Sequence, residues 1–400
     1  MKTKDGHLTY CSNIHPGESW KDHFANLKEY LPQIKKRISP ELPFGIGLRL
    51  SNEASLNLIL PKNLETFRAW LIREDLYLIC INGFPYGGFH EGRIKEKVYQ
   101  PDWLDEERSL YTIRLFKILS ALLPEGGEGG VSTPPLSYFD FWNEHKSVER
   151  NFELVTKNII EVLGEVSSIG NQKSQILHLD IEPEPDGVLG NVQDLIDWYL
   201  QHLLPQARTI HQAKSGFSNE DSDLFVKKHI RVCLDACHLA VSYEDPDEIL
   251  SLLRSHQIQV GRLQVSSALK VSLTSQVLEK QMHLKQFDEP MYLHQVIQRS
   301  DKSELTSFRD LSDALSSKIQ PDAEEWRIHF HVPIFAEGYG LLSSTQSDLL
   351  DLLGFQKKYH FTKILEVETY TWALLPKDLQ VNIENSIIRE LEWVQLQLNE

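Results

Sequence analysis

The stretch 176-ILHLDIEP-183 decides how this chain is read. Side chains alternate across a strand, so Leu177, Leu179 and Ile181 face one way while His178, Asp180 and Glu182 face the other. Four further segments repeat the pattern: 230-IRVCLDACH-238, 261-GRLQVSS-267, 326-WRIHFHV-332 and 363-KILEVETY-370. Their aliphatic face carries Val232, Leu234, Leu263, Val265, Ile328, Phe330, Leu365 and Val367; their polar face carries Asp235, Arg262, Gln264, His329, His331, Glu366, Glu368 and Tyr370. An antiparallel sheet with one wet face also alternates, but wet faces mix in Lys, Thr and Ser. Here the polar positions are mainly Asp, Glu, His and Gln, the donors that divalent metals bind. Unpaired carboxylates stacked in a dry interior are costly, and a bound cation offsets that cost. The pattern therefore points to an inward-facing metal site built from several strands.

Outward from these segments, strand-like and helix-like stretches alternate almost throughout, which is the signature of a parallel α/β architecture. HLTYCSN, FGIGLRLS and DLYLICING are strands. Ser19 with Asp22 reads as an N-cap ahead of Trp20, Phe24 and Leu27 at helical spacing. A helix is expected over 105–123, and others near 145–164, 191–213, 246–255, 345–354 and 379–399. With GVSTPPLS this makes nine strand candidates for the eight places of a TIM barrel, so GVSTPPLS, GRLQVSS or WRIHFHV lies outside the ring or extends a neighbour. Asp235 and Gln264 are 29 residues apart, one strand-helix-strand step, whereas Gln264 and His331 are 67 apart, too far for one. Residues 268–325 are accordingly expected as an insertion above the barrel, a lid or an interface arm, in a single domain spanning 1–400. The glycine-rich 124-PEGGEGG-130 has no helix start behind it to cradle phosphate and reads as an ordinary loop.

Composition narrows the function. Lys and Arg total 41 against 57 Asp and Glu, a net charge of −16, which argues against nucleic acid and against an anionic membrane surface as partners. The N-terminus has no apolar core for a signal peptide, and no run approaches a membrane span, so no membrane insertion and a cytoplasmic location are expected. Cys11, Cys80, Cys233 and Cys237 sit in apolar strand-like segments and read as buried thiols, since the spacing of Cys233, Cys237 and His238 fits no common zinc pattern.

In a TIM barrel the active site lies at the C-terminal ends of the strands, where Glu182, Asp235, His331 and Glu368 fall. His238 stands three residues past Asp235, close enough to share the site. Glu184 and Asp186, in 182-EPEPDG-187, read as solvated. His15, Arg49, Asn82, Tyr86 and His90 end the early strands, where substrate hydroxyls need donors, and Tyr370 with Trp372 offers an aromatic wall. Lys95, Tyr99, Asp102 and Trp103 are dense in polar and aromatic groups, but spacing assigns them no chemistry.

The order Glu, Asp-x-x-His, Gln or His, then Glu at late strand ends resembles the xylose-isomerase-like TIM barrels, a group that includes ketose epimerases, sugar-phosphate isomerases and endonuclease-IV-type nucleases. More specifically, HLTYCSNIHPGESW, FGIGLRLS, NGFPYGGFH, KEKVYQPDW, HFHVPIF and LEVETYTW resemble the EboE-type proteins of the bacterial ebo metabolite-traffic cluster, over His7 to about Pro376. The resemblance implies a divalent metal (Mn²⁺, Mg²⁺ or Zn²⁺) held by Glu182, Asp235, Gln264 and Glu368. Gln264 stands where epimerases carry His, and His331 is the alternative imidazole. It further implies Glu182 and Glu368 as base and acid, with His238, His15, Arg49, Asn82 and Tyr370 binding a polyol, sugar phosphate or cyclitol. Other ebo-pathway proteins, which include a cyclase and a prenyltransferase, are the implied partners. The leading expectation is a metal-dependent isomerase or epimerase; the rivals are a metabolite-binding protein that keeps the pocket and an endonuclease-IV-like phosphodiesterase.

Overall fold

The computed structural model describes the whole chain except residues 90, 91, 144–146, 378, 379, 381 and 400. Eight parallel strands form the barrel: Gly6–Tyr10, Phe44–Arg49, Leu76–Asn82, Glu128–Thr133, Ile176–Ile181, Ile230–Asp235, Val260–Val265 and Ile364–Val367. From the second strand to the eighth each pairs with its sequence neighbour, and the eighth pairs with the first, Ile364 opposite His7. The seam between first and second strands is closed differently. Cys11 bridges Gly47, and the Thr9 hydroxyl donates to Gly45 O at 2.7 Å while accepting from Gly47 N at 3.1 Å. One side chain thus stands in for a ladder.

The aliphatic face turns outward, as the alternation requires. Leu177, Leu179, Ile181, Val232, Leu234, Leu263, Val265, Leu365 and Val367 are all buried against the helices, each contributing on the order of 1.5–3 kcal/mol by leaving water. The helix Trp20–Ile38 shows why the local sequence folds as it does. The Ser19 hydroxyl accepts from Asp22 N at 3.2 Å, and Trp20, Leu27, Leu31, Ile34 and Ile38 bury one stripe. Asp105 caps Glu106–Leu122 in the same way. The last helix is Ile383–Asn399; the start expected near 379 lies outside the described residues. Among the described residues, no helix is long and apolar enough to cross a membrane.

The surplus strand candidate is WRIHFHV. It belongs to Ala323–His331, which pairs antiparallel with Ala268–Ser272 and Val296–Ser300 in a second, six-stranded sheet. This sheet runs from Ala268 to Ser344, past the 325 boundary expected from sequence, because the strand that closes the long gap joins the insertion and not the ring. Its alternation is real but serves two layers. Trp326, Ile328 and Phe330 enter the sheet's own core with Leu269, Val271 and Val296, while His329 and His331 face the barrel mouth.

Candidate metal centre at the barrel mouth

Two tiers of charge occupy the barrel interior. In the lower tier, Arg262 is fully buried and donates from Nε to Asp180 Oδ2 at 3.1 Å and from Nη1 to Glu366 Oε2 at 2.9 Å. Its Nη2 reaches the carbonyls of Ile81 and Gly130 at 3.2 and 2.8 Å. His178 Nδ1 lies 2.5 Å from Asp180 Oδ1. Glycines make the room: a Cβ on Gly261 would stand 1.9 Å from Asp180 Oδ1, and one on Gly47 1.9 Å from Glu366 Oε1. Asp180 and Glu366 therefore already have a cation.

Among the described residues, no Lys or Arg is bonded to the acids of the upper tier. Glu182, Asp235 and Glu368 are buried, each with one carboxylate oxygen within 4.8 Å of the others'. Asp235 ends its strand and caps the helix Ala236–Val241, so Oδ1 accepts from Cys237 N, His238 N and the Ser266 hydroxyl at 2.7, 3.2 and 2.6 Å. Glu368 Oε1 accepts from Asn13 Nδ2 at 2.6 Å and from Asn82 Nδ2 at 3.1 Å. With one oxygen of each saturated, Asp235 Oδ2 is left without a hydrogen-bond partner, as is Glu182 Oε2. Burial pushes the Glu182 and Glu368 carboxyls well above the usual range, and neighbouring acids add to it. Burial works the same way on Asp235, but His238, His331 and the donors around Oδ1 outweigh it and hold that carboxyl low.

Imidazoles complete the tier. His331 Nδ1 lies 3.0 Å from Glu368 O; a carbonyl only accepts, so Nδ1 carries the proton and Nε2 presents a lone pair. That Nε2 is buried, unpartnered, and 3.8 Å from Asp235 Oδ2. His238 Nδ1 donates likewise to Pro183 O at 3.1 Å. Gln295 donates its Nε2 to Pro185 O, which turns Oε1 toward His329 Nδ1 at 2.7 Å. Both Nδ1 protons are thereby committed, yet His238 Nε2 and His329 Nε2 face each other at 3.1 Å. Two lone pairs at that separation need a shared proton or cation. Burial lowers both imidazoles' affinity for protons. Glu184 with His238 and His329, Asp235 with His238 and His331, and Cys237 with His329 and His331 also bring ligand atoms within 4.8 Å.

The remaining expected residues divide. Asn82, His238 and Tyr370 line the cavity with Glu182, Glu368 and His331. Gln264 lies in the barrel opposite Asp235 in register, with its Oε1 accepting from Cys233 Sγ at 3.2 Å. His15 bonds the Tyr10 hydroxyl at 3.0 Å and stacks on Tyr30 at 4.5 Å, away from the cavity. Arg49 is engaged by Glu18 through both Nη atoms, at 3.0 and 2.9 Å. The Tyr86 hydroxyl meets Glu107 at 3.2 Å, and His90 lies outside the described residues. All four cysteines are buried and free.

Sequence reasoning missed four contributors. Glu184, read as solvated, is buried and lines the cavity, where burial pushes it up to about 8; its parity with 178, 180 and 182 was the available signal. Asn13 gave none. Lys95 and Tyr99 also line the cavity, and Lys95 Nζ is bonded to the buried Asp310 carboxylate of the insertion. Ile94 N and Lys95 N both donate to Met291 O, at 2.8 and 2.9 Å. Barrel loop and inserted sheet are thus tied into one roof.

No family model and no curated protein matches the chain. Solved structures do. A xylose isomerase-like TIM barrel protein from Mycobacterium smegmatis, in complex with magnesium, is 11% identical with a TM-score of 0.51, over 98% of this chain and 97% of that one. D-psicose 3-epimerase with D-tagatose from Clostridium cellulolyticum H10 is 10% identical with a TM-score of 0.45, over 98% of each chain. The probable 3-DHS dehydratase AsbF from Bacillus anthracis is 12% identical with a TM-score of 0.48, over 97% and 98%. At these identities the likeness is one of fold: the chain is an α/β (β/α)₈ barrel, similar in fold to that xylose isomerase-like TIM barrel protein. Its mouth carries a possible metal-binding cluster of Asp, Glu and His.

Proposed function

We propose that this protein is a divalent-metal-dependent isomerase or epimerase of hydroxy-carbonyl compounds. The observation that carries the reading is a pair of clusters sharing Asp235: ligand atoms of Glu182, Asp235 and Glu368 lie within 4.8 Å of one another, as do those of Asp235, His238 and His331, and Glu182 Oε2, Asp235 Oδ2 and His331 Nε2 are buried without hydrogen-bond partners. Glu182, Asp235, Glu368 and His331 would hold Mn²⁺, Mg²⁺ or Zn²⁺; His331 fits better than Gln264, whose oxygen is taken by Cys233. The ion would supply Lewis-acid polarisation of the carbonyl.

The chain's own groups would do the rest. Glu182 takes the proton from the carbon beside the carbonyl, and Glu368, oriented by Asn13 and Asn82, returns it. His238, fixed by Pro183 O, and Tyr370 position the substrate. The roof of Lys95 and the inserted sheet excludes water during proton transfer. On motif likeness alone, we also place the protein with the EboE-type proteins, acting in the cytoplasm on a small metabolite of an ebo pathway alongside that pathway's other proteins.

The test is proton exchange. Metal-loaded protein incubated with dihydroxyacetone in D₂O should replace carbon-bound protons by deuterium faster than buffer does, and Glu182→Gln should abolish the excess while retaining metal-free stability. Turnover without deuterium uptake would indicate a hydride shift in place of enolisation. A second reading has its own observation: the facing Nε2 atoms of His238 and His329 favour a second cation, and a stoichiometric second zinc would move the assignment toward a metal-dependent hydrolase.

A further inference from the structure

The cavity has two unlike halves. Glu182, Glu184 and Glu368 line one, with the imidazoles; the other is aromatic. Phe89, Tyr292 and Tyr370 meet as a triad, with centroids 5.2, 5.3 and 5.1 Å apart. Phe84 packs on Tyr99 at 5.5 Å nearby. These rings come from a loop after the third strand, from the insertion and from the exit of the last strand, so the fold assembles an aromatic slot from distant parts of the chain. Rings so placed favour a flat apolar guest through contact area and edge-to-face geometry.

Charge points the same way. Lys95 is the one Lys or Arg among the described lining residues, and Asp310 neutralises it; a proton or cation shared by His238 and His329 has the Glu184 carboxylate within 4.8 Å. Arg49 stands behind Phe89, its guanidinium 5.6 Å from the ring, and is held by Glu18. A divalent ion on Glu182, Asp235 and Glu368 leaves those three acids with no surplus of positive charge. A phosphate dianion entering here loses its water without gaining a free cation, the costliest kind of burial.

We infer that the substrate is an uncharged hydroxy-carbonyl compound bearing a flat apolar group, and that phosphate esters are rejected. The aromatic slot holds the apolar group while the acidic half receives the hydroxyl and carbonyl. This rests on the metal-dependent reading above.

Three probes share one hydroxy-ketone unit and differ only beyond it: hydroxyacetone (methyl), 2-hydroxyacetophenone (phenyl) and dihydroxyacetone phosphate. Their affinities for metal-loaded full-length protein can be measured by calorimetry. The phenyl compound should bind at least about tenfold more tightly than hydroxyacetone, as burial of a phenyl group predicts. The phosphate should bind no more tightly than hydroxyacetone. Tyr292→Leu should erase the phenyl advantage and leave hydroxyacetone unchanged, with Phe84→Leu as the second variant if Tyr292→Leu fails to fold. Equal affinity for phenyl and methyl probes overturns the slot, and tightest binding by the phosphate overturns the charge exclusion. Failure of hydroxyacetone itself to bind metal-loaded protein overturns the hydroxy-carbonyl reading beneath both.

Discussion

Replacing Glu368 by Gln should change stability in opposite directions with and without metal. In the metal-free chain, ligand oxygens of Glu182, Asp235 and Glu368 lie within 4.8 Å of one another with no cation between them. Two unit charges at that distance repel by about 3.5 kcal/mol at an effective dielectric near 20. Burial already keeps part of that charge protonated, so relief on removing one acid is about 1–3 kcal/mol. Gln keeps an oxygen to accept from Asn13 and Asn82, so packing is preserved. With metal at about 100 times its dissociation constant, the wild type gains about 2.7 kcal/mol. For 400 residues, at about 2.1 cal/mol/K per residue, the melting entropy is about 0.8 kcal/mol/K, so that gain is about 3 °C. Calorimetric scans with and without chelator should show wild type falling by about 3 °C on chelation. Glu368→Gln should show almost no fall, and should melt above the chelated wild type. A wild-type melting curve indifferent to chelation refutes the metal centre; a destabilised metal-free Glu368→Gln refutes the repulsion.

Metal analysis of dialysed protein should find at least one divalent ion per chain, and His329→Gln should lower the count only if the facing imidazoles hold a second. Asp310→Asn should leave Lys95 without its counter-charge and loosen the roof; hydrogen exchange at the Ile94 and Lys95 amides, both bonded to Met291 O, should quicken while barrel strands keep their protection. Burial pushes the Glu390 carboxyl up to about 7, against about 4.5 unfolded. Between those values the native state keeps a proton that the unfolded chain has lost, so stability falls as pH rises and is lowest above 7. Glu390→Gln, which can still accept from Thr369 and Ile334, should raise the melting temperature near pH 8 by up to about 4 °C and leave it unchanged near pH 4.

The succession of strand-like and helix-like stretches was enough to read the barrel, and the parity at 177–182 and 230–235 its inward acids, because both patterns are local. What parity could not show is which acid meets which cation. Asp180, Glu366 and Glu368 look alike in sequence, yet Arg262 neutralises the first two and leaves the third for another partner. Arg49 read as a free donor because Glu18, which holds it, lies 31 residues away on the far side of the helix Trp20–Ile38. WRIHFHV satisfied the same alternation from a different sheet, since a strand with one packed face looks identical whichever layer packs it. The Lys95–Asp310 tie joins residues 215 apart, a pairing that no spacing rule reaches.

The Arg262 guanidinium takes its contacts from the third, fourth, fifth and eighth strands. Those strands lie on both halves of the ring and span most of the chain, so no half-barrel can stand alone: any fragment ending before Glu366 buries this cation with one of its two acids missing. Folding is therefore expected to commit late, when Ile364–Val367 slides in beside Gly6–Tyr10 and closes ring and ion cluster in one event. A chain built this way resists division into independently folding pieces, and a nascent polypeptide must wait until Ile364–Val367 has been made before the barrel becomes stable.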